Sequence, residues 1–174
     1  MITMYELALF TGGVYKFDEF EEFIDDIGGL IIEMESFKFN RGMYFLSEEM
    51  RVLVLIPEKE HDEVQNLVKQ IKGAIEPVLM EDTELEKVIL IFEIYKIFKI
   101  NEDMDFESLI SSLSEDPDFV QIKNFKIHSP HKQKDFSKKI EELLIMMEEM
   151  NIIEKTEKEE DIYHYKIKLK DTKN

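Results

Sequence analysis

The 174-residue chain has no cysteine, an absence that removes disulfides, thiolate metal sites, cysteine-ligated iron–sulfur clusters and cysteine nucleophiles together. A reducing cytoplasm is the expected setting. No uninterrupted apolar stretch reaches the roughly 18 residues that a membrane span needs. The opening MITMYELALF carries no positive charge ahead of its apolar run, so neither export nor membrane spanning is expected. Positive charge is scarce: 22 Lys and Arg stand against 39 Asp and Glu, a net charge of −17 that repels nucleic acid and anionic membranes. The phosphate-binding patterns GxxxxGK[ST] and GxGxxG and the zinc pattern HExxH are missing.

What is present suffices to fill the core of a folded globular protein, since 44% of the residues are hydrophobic, and the order of elements along the chain reads as α+β. Tyr5 to Phe10 reads as a buried strand ending at Thr11-Gly12-Gly13. A helix over Asp18 to Ile27 follows, with Asp18 and Glu21 spaced for a capping box and Phe17, Phe20, Ile24 and Ile27 on one face. Gly28 and Gly29 supply the left-handed residue that commonly ends a helix. Leu30 to Phe39 and Met43 to Ile56 read as an antiparallel hairpin about Asn40-Arg41-Gly42. Pro57 suits the first position of a helix whose stripe is Val64, Leu67, Val68 and Ile71 and whose end is Gly73, and Ala74 to Met80 is a further strand. Strand, helix, strand, strand, helix, strand is the order of a ferredoxin-like βαββαβ unit, expected over residues 1–81.

Residues 82–174 read as a helical region with a C-terminal β-hairpin. Thr83 and Glu86 form a second capping-box pattern at the head of a helix to about Phe98, apolar on most of its circumference, although its β-branched and aromatic content also suits a strand. A short helix over Asp105 to Ser114, a strand over Phe119 to His128 and a helix with the stripe Phe136, Ile140, Leu143, Leu144, Met147 and Met150 come next. Ile152 to Thr156 and Asp161 to Leu169 flank a charged turn. Helices followed by a hairpin resemble a winged helix, yet the two helices stand too far apart in sequence for an ordinary helix-turn-helix.

Few residues assemble into chemistry. His61, His128, His131 and His164 occupy three separate segments and are expected as solvated loop histidines; no metal site is expected. The acids Glu19, Glu21, Glu22, Asp25 and Asp26 spread over an exposed helix face rather than pairing for acid–base work. Tyr15 and Lys16, beside the Gly12-Gly13 turn, are well placed to touch a partner. Gln121 to Lys139 carries Lys123, Lys126, Lys132, Lys134, Lys138 and Lys139 against Asp135, a local +5 in a background of −22. That segment reads as a solvated strand and loop, as a contact for an acidic protein, or as a phosphate-backbone contact. Met146, Met147 and Met150 read as core or as an adaptable interface.

The stretch YELALFTGGVYKFDEFEEFIDDIGG, Tyr5 to Gly29, resembles the start of the seventh methanogenesis-marker family of methanogenic archaea, in the tyrosine, GGVYK, the acidic helix and the closing glycine pair. The resemblance implies a cytoplasmic accessory protein that binds subunits of methyl-coenzyme M reductase or its ATP-dependent activation factors. Gly12, Gly13, Val14, Tyr15, Lys16, Gly28 and Gly29 carry over as fold or contact residues, and none carries a catalytic role. The expected partner surface is Gly12, Gly13, Tyr15 and Lys16 with Lys123, Lys126, Lys132 and Lys134; no cofactor, nucleic acid or catalysis is expected. A ligand-sensing ferredoxin-like domain joined to a winged-helix-like domain, acting as a transcriptional regulator, is the alternative.

Overall fold

Strand β1, Met4–Gly12, is the organising element of the first unit. It pairs antiparallel with β3, Met50–Pro57, in register from Tyr5↔Pro57 to Gly12↔Met50, and on its other edge with β4, Ala74–Pro77, from Ala8↔Pro77 to Thr11↔Ala74. The short β2, Leu30–Ile32, lies beyond β3 and pairs antiparallel with it, which gives the order β2-β3-β1-β4. A two-residue strand, Gln121–Ile122, runs parallel to the start of β1 and is the sixth in chain order. The computed structural model describes residues 3–32, 50–115, 121–122 and 135–168. The Asn40-Arg41-Gly42 turn and most of the strand expected at Phe119 to His128 therefore lie outside the described residues.

Successive strand residues point to opposite faces. Ala8, Phe10, Val52, Val54 and Ile56 form one row and pack with Phe17, Phe20 and Ile24 of α1, Phe17–Asp26, and with Val64 and Val68 of α2, His61–Gln70, plus Ile71 just beyond it. The opposite row, Leu7, Leu9, Leu30, Ile32, Leu53 and Leu55, is buried as well. Burial on both faces explains why VLVLI in β3 is continuously apolar. At the centre, the Phe10 and Phe20 rings stack with centroids 3.9 Å apart, and Phe17 lies 6.0 Å from Phe10. Burying a phenylalanine contributes about 1.5–3 kcal/mol, and an aromatic pair adds roughly 0.5–1.5.

Helix starts depart from the sequence reading. α1 follows a single 3-10 turn, Val14–Lys16, and its N-cap is Lys16, with no side-chain cap hydrogen bond. Asp18 therefore sits inside the first turn, where its charge still complements the helix dipole, and the expected capping box does not form. Pro57 ends β3 in extended geometry (φ −60°, ψ 131°) and precedes a 3-10 turn, Glu58–Glu60, rather than opening α2. Helix ends follow the reading more closely. Gly28, at φ +83°, and Gly29 donate to the carbonyls of Asp25 (3.1 Å) and Ile24 (2.8 Å), the pattern of a Schellman end. In α2 the left-handed position is taken by Lys72 (φ 58°), one residue before Gly73, which donates to Val68 at 2.8 Å.

The chain divides into two compact units: Met1–Leu85 with Val120–Lys126, described above, and a second, Glu86–Phe119 with Ile127–Asn174. Helix α3, Asp82–Ile100, supplies the second unit with an unbroken buried run from Val88 to Tyr95, Glu93 included. Its start at Asp82 places Thr83 inside the helix, and Glu86 accepts from Lys139 at 2.9 Å, so the second capping box is superseded too. Strand β5, Met104–Asp105, leads into α4, Phe106–Glu115, whose first turn is held by the Ser108 amide donating to Asp105 Oδ1 at 2.8 Å. With Gln121–Ile122 numbered β6, α5, Phe136–Glu149, precedes an antiparallel hairpin of β7, Ile153–Glu159, and β8, Ile162–Ile167. Strand β5 pairs with β8, giving the order β5-β8-β7. Phe136, Ile140, Leu143, Leu144 and Met147 of α5 are buried as the periodicity requires. The molecule is thus α+β with sheets that are antiparallel except for the β1–β6 pairing and, among the described residues, five α-helices, none long and apolar enough to cross a membrane.

Candidate functional site: a cleft and an exposed turn

On the helix-facing row of β1, Glu6 precedes Ala8 and Phe10. It is the one charge within the apolar run YELALF, and it meets His61, the first residue of α2. His61 Nδ1 and Glu6 Oε1 form a direct hydrogen bond. One helical turn on, Gln65 Nε2 lies 3.2 Å from His61 Nε2. An amide nitrogen can only donate, so this arrangement puts the ring proton on Nδ1, from which it is donated to Glu6. The pair is partly desolvated, with 19% of the Glu6 side chain and 44% of that of His61 exposed.

These three residues form one wall of a cleft of about 580 Å3 between α2 and the edge strand β4. Ala8, Ile56, Val64 and Ile75 give it an apolar lining, the segment Val78–Met80 and Leu85 extend that lining, and Glu76 and Asp82 add two further carboxylates. Among the described residues, no lysine or arginine lines it.

The expected contact residues lie at the other end of β1. Gly12 is buried inside the strand, and a Cβ there would stand 2.5 Å from Phe10 Cζ, so the glycine makes room for a ring. Gly13 is exposed. Tyr15 is 91% exposed and Lys16 is exposed beside it, which brings these two together at the surface. Lys123, Lys126, Lys132 and Lys134 lie outside the described residues. Of the remaining basic segment, Lys138 is exposed and Lys139 is engaged with Glu86.

Sequence reasoning missed Glu6, His61 and Gln65. His61 and His164, expected as loop histidines, sit on a helix and a strand with carboxylate partners, His164 lying 3.2 Å from Asp103. That hydrogen bond is the main cause holding the Asp103 carboxyl below its ordinary value. The available signal was the lone glutamate in β1 and the His61-Gln65 spacing on the polar edge of α2.

Residues 5–95, about half of the chain, match the family described as methyl-coenzyme M reductase operon protein C, and the chain belongs to that family. The resemblance carried by Tyr5 to Gly29 falls inside this longer match, which takes in β1 to most of α3 and the whole cleft. An uncharacterised protein of the methanogen Methanocaldococcus jannaschii is 31% identical over 88 residues, 51% of this chain and 26% of that protein, so the match spans about a quarter of that relative's length. No solved structure matches.

Proposed function

We propose that the protein is a non-catalytic accessory of methyl-coenzyme M reductase that docks on the reductase or on its ATP-dependent activation machinery. The observation that carries this reading is membership of a family named for the reductase operon. The first unit supports it structurally: the order β2-β3-β1-β4, with two helices between strands, is that of a ferredoxin-like unit, which we assign to residues 1–81. That scaffold carries Tyr15, a large rigid ring with a polar end, on an exposed turn, the kind of residue that anchors interfaces. Gly13 and Lys16 flank it, Gly12 leaves room for the Phe10 ring at the end of β1, and Lys123, Lys126, Lys132 and Lys134 steer association.

The test is retention of reductase subunits and activation factors by the tagged protein in native extract. Tyr15→Ala should weaken retention by at least about 1 kcal/mol, and replacing the four lysines by glutamine should slow association and reduce its salt sensitivity. Unchanged retention by both variants places the interface elsewhere. Failure of the unmutated protein to retain any of these partners refutes the function.

A second reading is favoured by the element order of residues 82–174 once β6, which pairs with β1 in the other sheet, is set apart: helix, strand, helix, helix and two strands, with β5 joined to β8, is the order of a winged helix. The faces such a domain lays on duplex DNA are acidic here. Exposed positions of α5 carry Glu141, Glu142 and Glu149 against Lys138, and the hairpin end carries Glu157, Glu159, Glu160 and Asp161 around Lys158. Phosphate would be repelled. We read this part as facing protein rather than DNA, and tight sequence-selective duplex binding at about 0.15 M salt would reverse that ranking.

A further inference from the structure

We propose that the cleft between α2 and β4 binds a small organic cation, an amine carried on an apolar body. This goes beyond reductase docking and does not depend on it, since Tyr15 and the cleft lie at opposite ends of β1.

Size comes first. A volume of about 580 Å3 lies within the roughly 300–1,000 Å3 of small-molecule sites, which are mostly apolar with a few convergent polar groups. Here Ala8, Ile56, Val64 and Ile75 place much of the apolar lining on strands and a helix of the first unit, and the segment Val78–Met80 completes it. Charge decides the rest. Glu6, Glu76 and Asp82 line the cleft, with no lysine or arginine among the described residues of its walls. An anion would be repelled by all three, and a neutral apolar guest would strip water from carboxylates without replacing its hydrogen bonds. A bare metal ion fits poorly, because among the described residues no three His, Asp or Glu side chains are grouped to hold one. An ammonium group brings both positive charge and up to three N–H donors. With Oε1 of Glu6 held by His61, and His61 in turn held by Gln65, Glu6 is a pre-set acceptor that offers Oε2 to such a donor. His61 is thus a positioning residue.

The experiment titrates the full-length protein calorimetrically with three probes on one skeleton: 4-phenylbutylamine, 4-phenylbutan-1-ol and 4-phenylbutanoate. The amine should bind at least about tenfold more tightly than the alcohol, and the carboxylate should not bind measurably. Glu6→Gln should lower amine affinity by about tenfold while leaving alcohol affinity unchanged, and Glu107→Gln on α4 should change neither. Should Glu6→Gln fail to fold by circular dichroism, the exposed pair Glu76→Gln and Asp82→Asn carries the same test. Equal binding of amine and alcohol would overturn the proposal. So would binding of a lysine-bearing peptide with no binding of the free amine, which would make the cleft a protein-docking site. A protein that binds the amine yet retains no reductase subunit keeps this inference and loses the docking one.

Discussion

The Phe10 ring is wedged among three neighbours, and the wedge gives a quantitative test of the first unit's core. A Cβ added at Gly12 would stand 2.5 Å from Phe10 Cζ and 3.0 Å from Cε1, and one added at Gly73 would stand 2.8 Å from Cε2. The stacked Phe20 ring, 3.9 Å away between centroids, blocks retreat on the remaining side. Carbon atoms sit comfortably at about 3.5–4.0 Å, so in Gly12→Ala the ring tip must move by roughly an ångström against Phe20. Overpacking of this kind costs about 1–3 kcal/mol. Gly12 lies outside the left-handed region, so alanine also gains about 0.5–1 kcal/mol of strand preference, which leaves a net loss of about 1–2. Phe10→Leu removes the ring tip and should itself cost about 1–2 kcal/mol, less than the 3–5 of a full Phe→Ala truncation. In that background Gly12→Ala has nothing to strike and should be neutral or stabilising by up to about 1 kcal/mol. The pair should therefore couple by at least about 1 kcal/mol in urea denaturation followed by far-ultraviolet circular dichroism. Additivity within about 0.5 kcal/mol would refute the wedge and leave Gly12 as a turn residue.

The two glycines after α1 should separate by mechanism. Gly28→Ala meets no atom within 4 Å but holds φ +83°, so it should cost about 1 kcal/mol, whereas Gly29→Ala drives a Cβ to 2.5 Å from the Leu55 carbonyl and should cost about 3 or more; equal losses in thermal melts would contradict this. Lys72→Gly relieves a left-handed lysine at the end of α2 and should stabilise by about 0.5–1 kcal/mol, and a drop in the urea midpoint would refute the Schellman reading. Asp105 has its carboxyl held below the ordinary 3.8 by hydrogen bonds from Ser108. A depressed carboxyl stabilises fully above its unfolded value and less as pH falls through the folded one, so the stability difference between the native protein and Asp105→Asn should be flat at neutral pH and shrink below about pH 3.8. Since asparagine caps without titrating, a variant with an unchanged low-pH slope would remove Asp105 from the explanation; Asp103 contributes a slope of the same sign to both proteins.

Much of the fold was legible because burial leaves a period. The row Phe17, Phe20, Ile24 and the α5 stripe from Phe136 to Met147 could be read directly, and the glycine pairs marked real boundaries. What each glycine does was not legible, since Gly12 and Gly73 answer to a ring and Gly29 to a carbonyl that only the fold brings near. The capping-box patterns misled because a 3-10 turn starts α1 before Asp18 and because Glu86 is drawn to Lys139. Strand β5, two residues long, is too short to show any period. Of the candidate site, exposure of Tyr15 followed from its place beside a turn, but Glu6 and His61 lie 55 residues apart, and nothing local in either segment announces the other.

The pairing of β1 also has a consequence in time. It leaves the ribosome before every strand it pairs with, and Gly12 waits 38 residues for its partner Met50 while Thr11 waits 63 for Ala74. At about 5–20 residues per second, an apolar strand with both edges bare stands alone for several seconds before either neighbour exists, the condition in which strands find the wrong company. Only when β4 emerges can the sheet close around it. The half of the molecule that carries both the exposed tyrosine and the cleft is therefore also the half most in need of protection while it is being made.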